Sequence, residues 1–298
     1  MTWIDATLDE LAAQQQWSYR ANTVAATEPT ALAALALVAH GRNEAAERAL
    51  RWLAKAQTEE GCLGISAEEK SPHWPTGWAV LAWSAAMRAG QTSGAIDYRA
   101  HISRAIRWML TIEGKPNPRT KELGHDTTLI GWPWVESTHS WLEPTALNVL
   151  ALKANGNGDH SRAREAVQLL IDRLLPDGGC NYGNTSVLGQ VLRPQLEPSG
   201  LALVALVGET DPSGRLEKTI RWIESTLSSD TTAASLGYGL IGLAAHGRFP
   251  KQAPDWLESA AERTKKLVGS QPRLALLALA AKGAECPIVK LTRQVPAS

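Results

Sequence analysis

"EPTALAALALVAHG" runs from Glu28 to Gly41 and returns as "EPTALNVLALKANG" from Glu143 and "EPSGLALVALVGE" from Glu197. Looser copies are "WPTGWAVLAWSAAMRAG" from Trp74, "DTTAASLGYGLIGLAAHG" from Asp230 and "QPRLALLALAAKG" from Gln271. Each reads as a helix with a written start and stop. Proline suits the first helical position, where its missing N–H costs no bond. The residue before it is pushed out of the helical region and reads as the N-cap. Gly41, Gly90, Gly156, Gly247 and Gly283 stand where a left-handed C-cap belongs. The bodies are apolar on nearly every face, so these helices are expected to be buried all round.

A second string interlocks with the first. "LRWLAKAQTEEGCLG" begins at Leu50, "IRWMLTIEGKPNP" at Ile106 and "IRWIESTLSSD" at Ile220. These segments belong to polar, amphipathic helices predicted over residues 4–17, 43–57, 97–112, 160–174, 214–227 and 254–268. In the second, Ala46, Leu50, Leu53 and Ala54 form one stripe opposite Glu44, Glu47, Arg48, Arg51 and Lys55, as in a half-buried outer helix. The chain thus alternates outer and inner helices through a repeat, which is read before any single motif. No period-two strand pattern appears. The pattern predicts an all-α fold: an α/α toroid of six inner and six outer helices, one domain over residues 1–298. Inner helices should begin near residues 29, 75, 144, 198, 231 and 272. They should run parallel and gather their N-termini at one mouth.

Composition narrows the function classes. Lys plus Arg and Asp plus Glu each number 30, so no basic field invites nucleic acid. The longest apolar run, Ala31 to Ala39, is nine residues, too short to span a bilayer. The N-terminal stretch lacks a secretion pattern, and Cys62, Cys180 and Cys286 cannot all pair, so a cytoplasmic location with reduced thiols is expected. Twelve Trp stand against one Phe, so the largest aromatic is selected.

The segment Arg48 to Gly64, "RALRWLAKAQTEEGCLG", resembles the QW repeat of the terpenoid cyclase and protein prenyltransferase β-subunit superfamily. Arg48, Ala49, Trp52, Leu53, Gln57 and Gly61 fall on the spacing of the squalene–hopene cyclase repeat, with Leu63 in place of its last Trp. "RAIRWMLTIEG" and "KTIRWIESTL" are degraded copies. "REAVQLLIDRLLPDGGCNYG" keeps the glycine–cysteine end. The resemblance implies the toroid, with Arg48, Arg104, Trp52, Trp108, Trp222 and Gln57 joining successive repeats. It also implies an isoprenoid or other apolar ligand in a central cavity, with cyclisation as the reaction. Class II cyclases protonate their substrate with the middle aspartate of D-x-D-D-T-A. Asp230 in "SSDTTA" falls on that position, with Ser228 and Thr231 replacing its acidic neighbours. The zinc set of the prenyltransferases and the "GCGEQ" thioester of complement-like toroids are absent. Cys62 and Cys180 sit in equivalent loops and read as structural. No metal and no cofactor are expected.

The richest stretch is Leu123 to Pro144, "LGHDTTLIGWPWVESTHSWLEP". It is the longest outer-to-inner connection and should lie over the inner-helix mouth, with Trp132 or Trp134 pointing inward. It supplies His125, Asp126, Trp132, Trp134, His139 and Trp141. "SPHWPTGW" adds His73, Trp74 and Trp78 at the same end. Glu28, Glu143, Glu197 and Asp230 all precede inner helices and should ring that mouth. Converging carboxylates raise one another's pKa and can serve as general acid or base. The candidate catalytic set is therefore Asp230, Glu143, Glu28, Glu197, His139 and Asp126. The candidate ligand-binding set is Trp74, Trp78, Trp132, Trp134, Trp141, His73, His125 and Tyr238. Two further functions fit the sequence: a hydrolase or lyase acting on a polar, sugar-like substrate at the same mouth, and a non-catalytic interaction scaffold. A protein partner is left open.

Overall fold

The computed structural model of the chain describes residues 2–20, 22–91, 96–119, 123–267 and 269–293. The chain alternates two kinds of helix. The outer helices are α1 (Trp3–Ala13), α3 (Asn43–Ala56), α5 (Tyr98–Thr111), α7 (Ser161–Asp172), α9 (Arg215–Thr226) and α11 (Ala253–Leu267). Residue 268, the last of the expected sixth outer helix, lies outside the described residues. The inner helices are α2 (Thr27–Ala39), α4 (Thr76–Arg88), α6 (Leu142–Ala154), α8 (Leu196–Ala205), α10 (Ala233–Ala245) and α12 (Gln271–Ala280). Their starts fall within two residues of those expected from the proline pattern. Each inner helix packs on the next, α2 on α4 and so on to α12, and α12 closes back on α2. This is the α/α toroid. The inner helices carry no amphipathic stripe because all their faces are covered: in α2 every residue from Pro29 to Val38 is buried.

The two ends of the ring differ chemically. At the C-terminal end, Gly41, Gly90, Gly156, Gly208, Gly247 and Gly283 follow the six inner helices at φ between 51° and 78°. A side chain there would be strained, which is why glycine recurs. Last-turn carbonyls are then taken up by neighbouring helices. His40 Nε2 meets Ala278 O at 2.9 Å, Arg88 donates to Ala154 O at 3.1 Å, Lys153 to Ala205 O at 2.8 Å, and His246 Nε2 meets Leu203 O at 2.8 Å. With Gln91 Nε2 donating to Val38 O at 3.2 Å between α4 and α2, these links show that the inner helices run in one direction. A short helix, α13 (Pro287–Thr292), packs against α2, α4, α6, α8 and α10, and buries Ile288, Val289 and Leu291. It plugs this mouth.

The QW-like residues join repeats as the sequence implies. Gln57 Nε2 donates to Gly61 O and His101 O, both at 2.9 Å, and Arg104 donates to Gln57 Oε1 at 2.7 Å. The arginines follow a rule wider than the motif. Each outer helix after the first sends one back to the chain leaving its predecessor: Arg48 to Ala12 O, Arg104 to Gln57, Arg162 to Ile112 O, Arg215 to Leu174 O and Arg263 to Thr231 O. Gly61 and Gly178 occupy matching turns, where an added Cβ would lie 2.4 Å and 2.5 Å from the carbonyl oxygens of Arg104 and Lys218. Only glycine lets these turns touch the next outer helix. The only paired strands among the described residues form a small hairpin, β1 (Ser186–Val187) with β2 (Gln190–Val191).

Candidate functional site

The expected N-caps need correction. The N-caps of α2, α6 and α8 are Ala26, Trp141 and Gln195; Glu28, Glu143 and Glu197 lie two residues further in, at the second helical position. Asp230 is not a cap either: α10 starts after Thr232. The helices start early because proline at the third position still falls among the N–H groups that have no intrahelical acceptor, so it sacrifices nothing. The next residue fixes the start. Thr30, Thr145 and Ser199 donate their hydroxyls to the N-cap carbonyls at 2.7, 2.5 and 2.6 Å. The same hydroxyls of Thr145 and Ser199 accept the N–H groups of Trp132 and Cys180 at 2.9 and 2.8 Å. Each "E-P-T/S" therefore clasps a loop and sets its glutamate at the mouth.

Glu28, Glu143 and Glu197 interact electrostatically with one another. Burial, then the charges of Glu28 and Glu197, pushes the Glu143 carboxyl from 4.5 up to about 8. A favourable helix end is worth about 0.3–1 kcal/mol, less than one pKa unit, so burial and like charge win. Glu28 is also raised, by burial and then Glu197, although the Tyr19 hydroxyl donates to its Oε2 at 2.6 Å. Ser235 donates to Glu197 Oε1 at 3.3 Å. Tyr238, 8% exposed, has its phenol pushed up by burial and then by all three glutamates. Tyr182 is raised by burial, then by Glu197 and Glu143. The mouth is thus a cluster of three carboxyls and three phenols drawn from α2, α6, α8, α10 and two loops. This arrangement can hold one carboxyl protonated beside an ionised one, as acid–base chemistry requires.

The other candidates scatter. Asp230 is exposed in a turn where Thr231 N donates to Ser228 O, and it does not enter the charge cluster. Trp74 stands at the start of α4, edge-on to Trp134 with ring centroids 4.6 Å apart. His73 Nδ1 meets Glu136 Oε1 at 2.5 Å, and its ring packs on Trp108. The long loop is therefore stitched to the start of α4. Trp141 precedes α6 with the exposed His139 ring 4.5 Å away. Trp132 is fully buried but faces the outer layer: its Nε1 donates to Met109 O at 2.8 Å and the Arg162 guanidinium lies 4.6 Å over its ring. Trp78 and Trp83 are also fully buried, Trp78 with its ring centroid 6.3 Å from that of Tyr238. Trp78 and Trp132 are packing residues and cannot line an open cavity.

His125 and Asp126 are held by the end of α7 and the connection after it, where Asp126 N donates to Asp172 Oδ2 at 2.8 Å, and not by the glutamates. His125 is buried with Nδ1 3.2 Å from Thr185 Oγ1, and burial, then Arg173, brings it down to about 4. Asp126 accepts from Thr128 N at 3.0 Å and pairs with Arg119 at 3.5 Å. Among the described residues, no group of three or more His, Cys, Asp or Glu is arranged to hold a metal ion. Sequence reading missed Tyr19, Tyr182 and Ser235. Tyr182 carried a faint signal, as the aromatic of "GCNYG". Tyr19 and Ser235 carried none.

No protein-family profile matches the chain, and no curated protein matches it in sequence. Solved structures do. The chain is similar to Salmonella alpha-2-macroglobulin reacted with methylamine, at 14% identity and TM-score 0.55, covering 100% of this chain but only 18% of that one. An Escherichia coli alpha-2-macroglobulin piece, from its MG7 domain to the C-terminus, gives 14% identity and TM-score 0.53 over 94% of this chain and 42% of that one. A reducing-end-xylose-releasing exo-oligoxylanase gives 10% identity and TM-score 0.55, over 96% of this chain and 92% of that one. The chain spans less than half of these macroglobulins and nearly all of the xylanase. At such identities the likeness establishes the fold and nothing more. What stands on both lines is an α/α-toroid chain, similar in fold to parts of these macroglobulins and to an exo-oligoxylanase, with a carboxyl-rich mouth.

Proposed function

We propose that the protein is a hydrolase acting on a polar, sugar-like substrate at the inner-helix N-terminal mouth. The observation that supports it is the meeting of Glu28, Glu143 and Glu197, with Glu143 held up to about 8. In this reading Glu143, protonated at neutral pH, gives its proton to the leaving-group oxygen as the carbon–oxygen bond breaks. A second carboxyl of the cluster, Glu28 or Glu197, would take the proton of the incoming water or attack the carbon directly. Trp74, Trp134, Tyr19 and Tyr182 offer flat faces to a sugar ring. The xylanase adds support at fold level, since the same architecture hosts glycoside hydrolysis there. Glu143→Gln should stay folded and bind substrate while losing at least ~100-fold in turnover of an oligosaccharide panel. Full turnover in that variant would end the assignment.

Two other readings have less support. Isoprenoid cyclisation would ask Asp230 to face a Trp-lined cavity, and it stands in an exposed turn. A scaffold role draws on the packed axis beneath the acids, where Trp78 and Tyr238 meet. It would be favoured if Glu143→Gln changed partner binding and left every turnover assay blank in the parent protein as well.

A further inference from the structure

We infer that a cleft at the opposite mouth, where the inner helices end, binds a small amphipathic anion: one negatively charged head on a short apolar body. The cleft, of about 450 Å³, lies between the ends of α2 and α4 and the plug helix α13. Its floor is apolar, made of Val38, Ala39, Ala85, Ala89, Pro287 and Leu291. Its charged lining is Arg88, Lys282, Lys290 and Glu285, three cations against one acid. Glu285 is taken, since it pairs with Lys290 at 2.5 Å. Arg88 is partly taken, donating to Lys290 O, Arg293 O and Ala154 O at 2.9, 3.4 and 3.1 Å. The site lies at the other end of the ring from the acids and does not depend on the hydrolase reading.

The repeat supplies the second observation. Three inner helices end alike, with a basic residue directly before the left-handed glycine: His40–Gly41 after α2, His246–Gly247 after α10 and Lys282–Gly283 after α12. At this position His40 and His246 each meet a carbonyl of a neighbouring inner helix, Ala278 O at 2.9 Å and Leu203 O at 2.8 Å. Lys282 breaks the pattern. It is half-buried, and its ammonium makes no hydrogen bond or ion pair among the described residues. Its charge reaches Glu285, but that carboxylate bonds to Lys290 instead. The dipole at the end of α12 accounts for a cation here. It does not account for an ammonium left unbonded beside an apolar floor. An ammonium carries three donors and no acceptor, so an anionic head is what completes it. The apolar body would then cover Val38, Ala85 and Leu291, as in a site that is mostly apolar with a few placed polar groups. A polycation would meet Arg88 and Lys282 head-on, and a sugar would leave the floor wet.

The test is calorimetric titration of the intact protein with four probes: octanoate, octyl phosphate, octan-1-ol and acetate. Octanoate should bind at least ~5-fold tighter than octan-1-ol and at least ~10-fold tighter than acetate, and added salt should weaken it. Lys282→Met keeps the stem and removes the charge, so it should weaken octanoate by ~5-fold or more and leave octan-1-ol unchanged. Lys282→Arg should restore octanoate binding. Ala89→Phe is the second variant: it adds bulk from the exposed end of α4 and should weaken both octanoate and octan-1-ol, with circular dichroism unchanged. Octyl phosphate binding tighter than octanoate supports the site and names a phosphate head; the reverse order supports it and names a carboxylate. Three results overturn the inference: neither anion binds, octanoate and octan-1-ol bind equally, or octanoate keeps full affinity in both Lys282→Met and Ala89→Phe. None of them bears on the turnover of Glu143→Gln, so the two readings fail separately.

Discussion

At the scale of single residues, the proposed acid Glu143 is one that its surroundings make costly to ionise. Its folded pKa lies above its unfolded one, so the folded state keeps a proton that the unfolded chain has released. Stability contributed by that proton is lost as pH rises from about 4.5 toward about 8. Glu143→Gln removes the loss. The variant should melt above the parent at pH 9 and close to it at pH 5, as scanning calorimetry would show. A variant less stable at pH 9 would mean that the carboxylate is paired after all. Trp78 offers a second case. Its indole is fully buried and Nε1 has no partner. Trp78→Phe removes an unpaired donor but also leaves some volume empty. The two terms oppose, and the net change should stay within about 1.5 kcal/mol, against about 3–5 for Trp78→Ala. The glutamates were legible in the sequence because a repeat placed them at one end. Tyr19 was not, because it lies in the connection before α2, outside the punctuated helices. Asp230 was placed by motif position, and position along the chain did not say that Thr232 would begin the helix.

Among elements, proline and glycine wrote the helix limits into the sequence. The error of two residues at α2, α6 and α8 has one cause: the Thr or Ser after the proline reaches back to the N-cap carbonyl, a bond that no propensity registers. The repeat junctions were only partly legible. The Arg-Trp strings pointed to Arg48 and Arg104. Arg162 does the same work on α7 without a tryptophan in the string, so it went unseen. It is buried, donates to Ile112 O at 2.9 Å and Gly131 O at 3.2 Å, and covers Trp132. Arg162→Ala should therefore cost about 2–4 kcal/mol by denaturant titration, through carbonyls left unpaired. Arg221→Ala is the control: on the exposed side of α9 its pair with Glu217 should be worth about 0.5 kcal/mol or less. Gly61→Ala should cost about 1–3 kcal/mol, because the Arg104 backbone cannot yield as a side-chain tip would. If Arg162→Ala and Arg221→Ala prove equal, the junction rule is wrong.

For the whole molecule, two sets of groups shape stability against pH. His40, His101, His125 and His246 are all lowered by burial, His125 to about 4. Below about 6.5 the unfolded chain gains protons that these sites refuse, so stability falls with acid. Glu28 and Glu143 act oppositely, from about 4.5 upward. The stability curve should peak near the crossing of these windows, about pH 5–6.5, and decline gently toward pH 8. A maximum above pH 8 would contradict the glutamate cluster. The toroid itself was the most legible property, since six apolar helices can all be buried only if something surrounds them.

The packing of α12 on α2, with α1 lying against both and touching α11, has a further meaning. A linear array of repeats has two ends, and its terminal units fray first while the middle survives. Here every unit has two neighbours, and the seam joins positions more than 200 residues apart along the chain. The seam is the contact that costs most chain entropy to form, and it gives the first helix influence out of proportion to its length. Amide exchange along the ring should therefore be level rather than graded from the ends inward. Loss of residues 2–13 should then loosen α11 and α12 as much as α2, leaving the hoop closed by the α12–α2 contact alone.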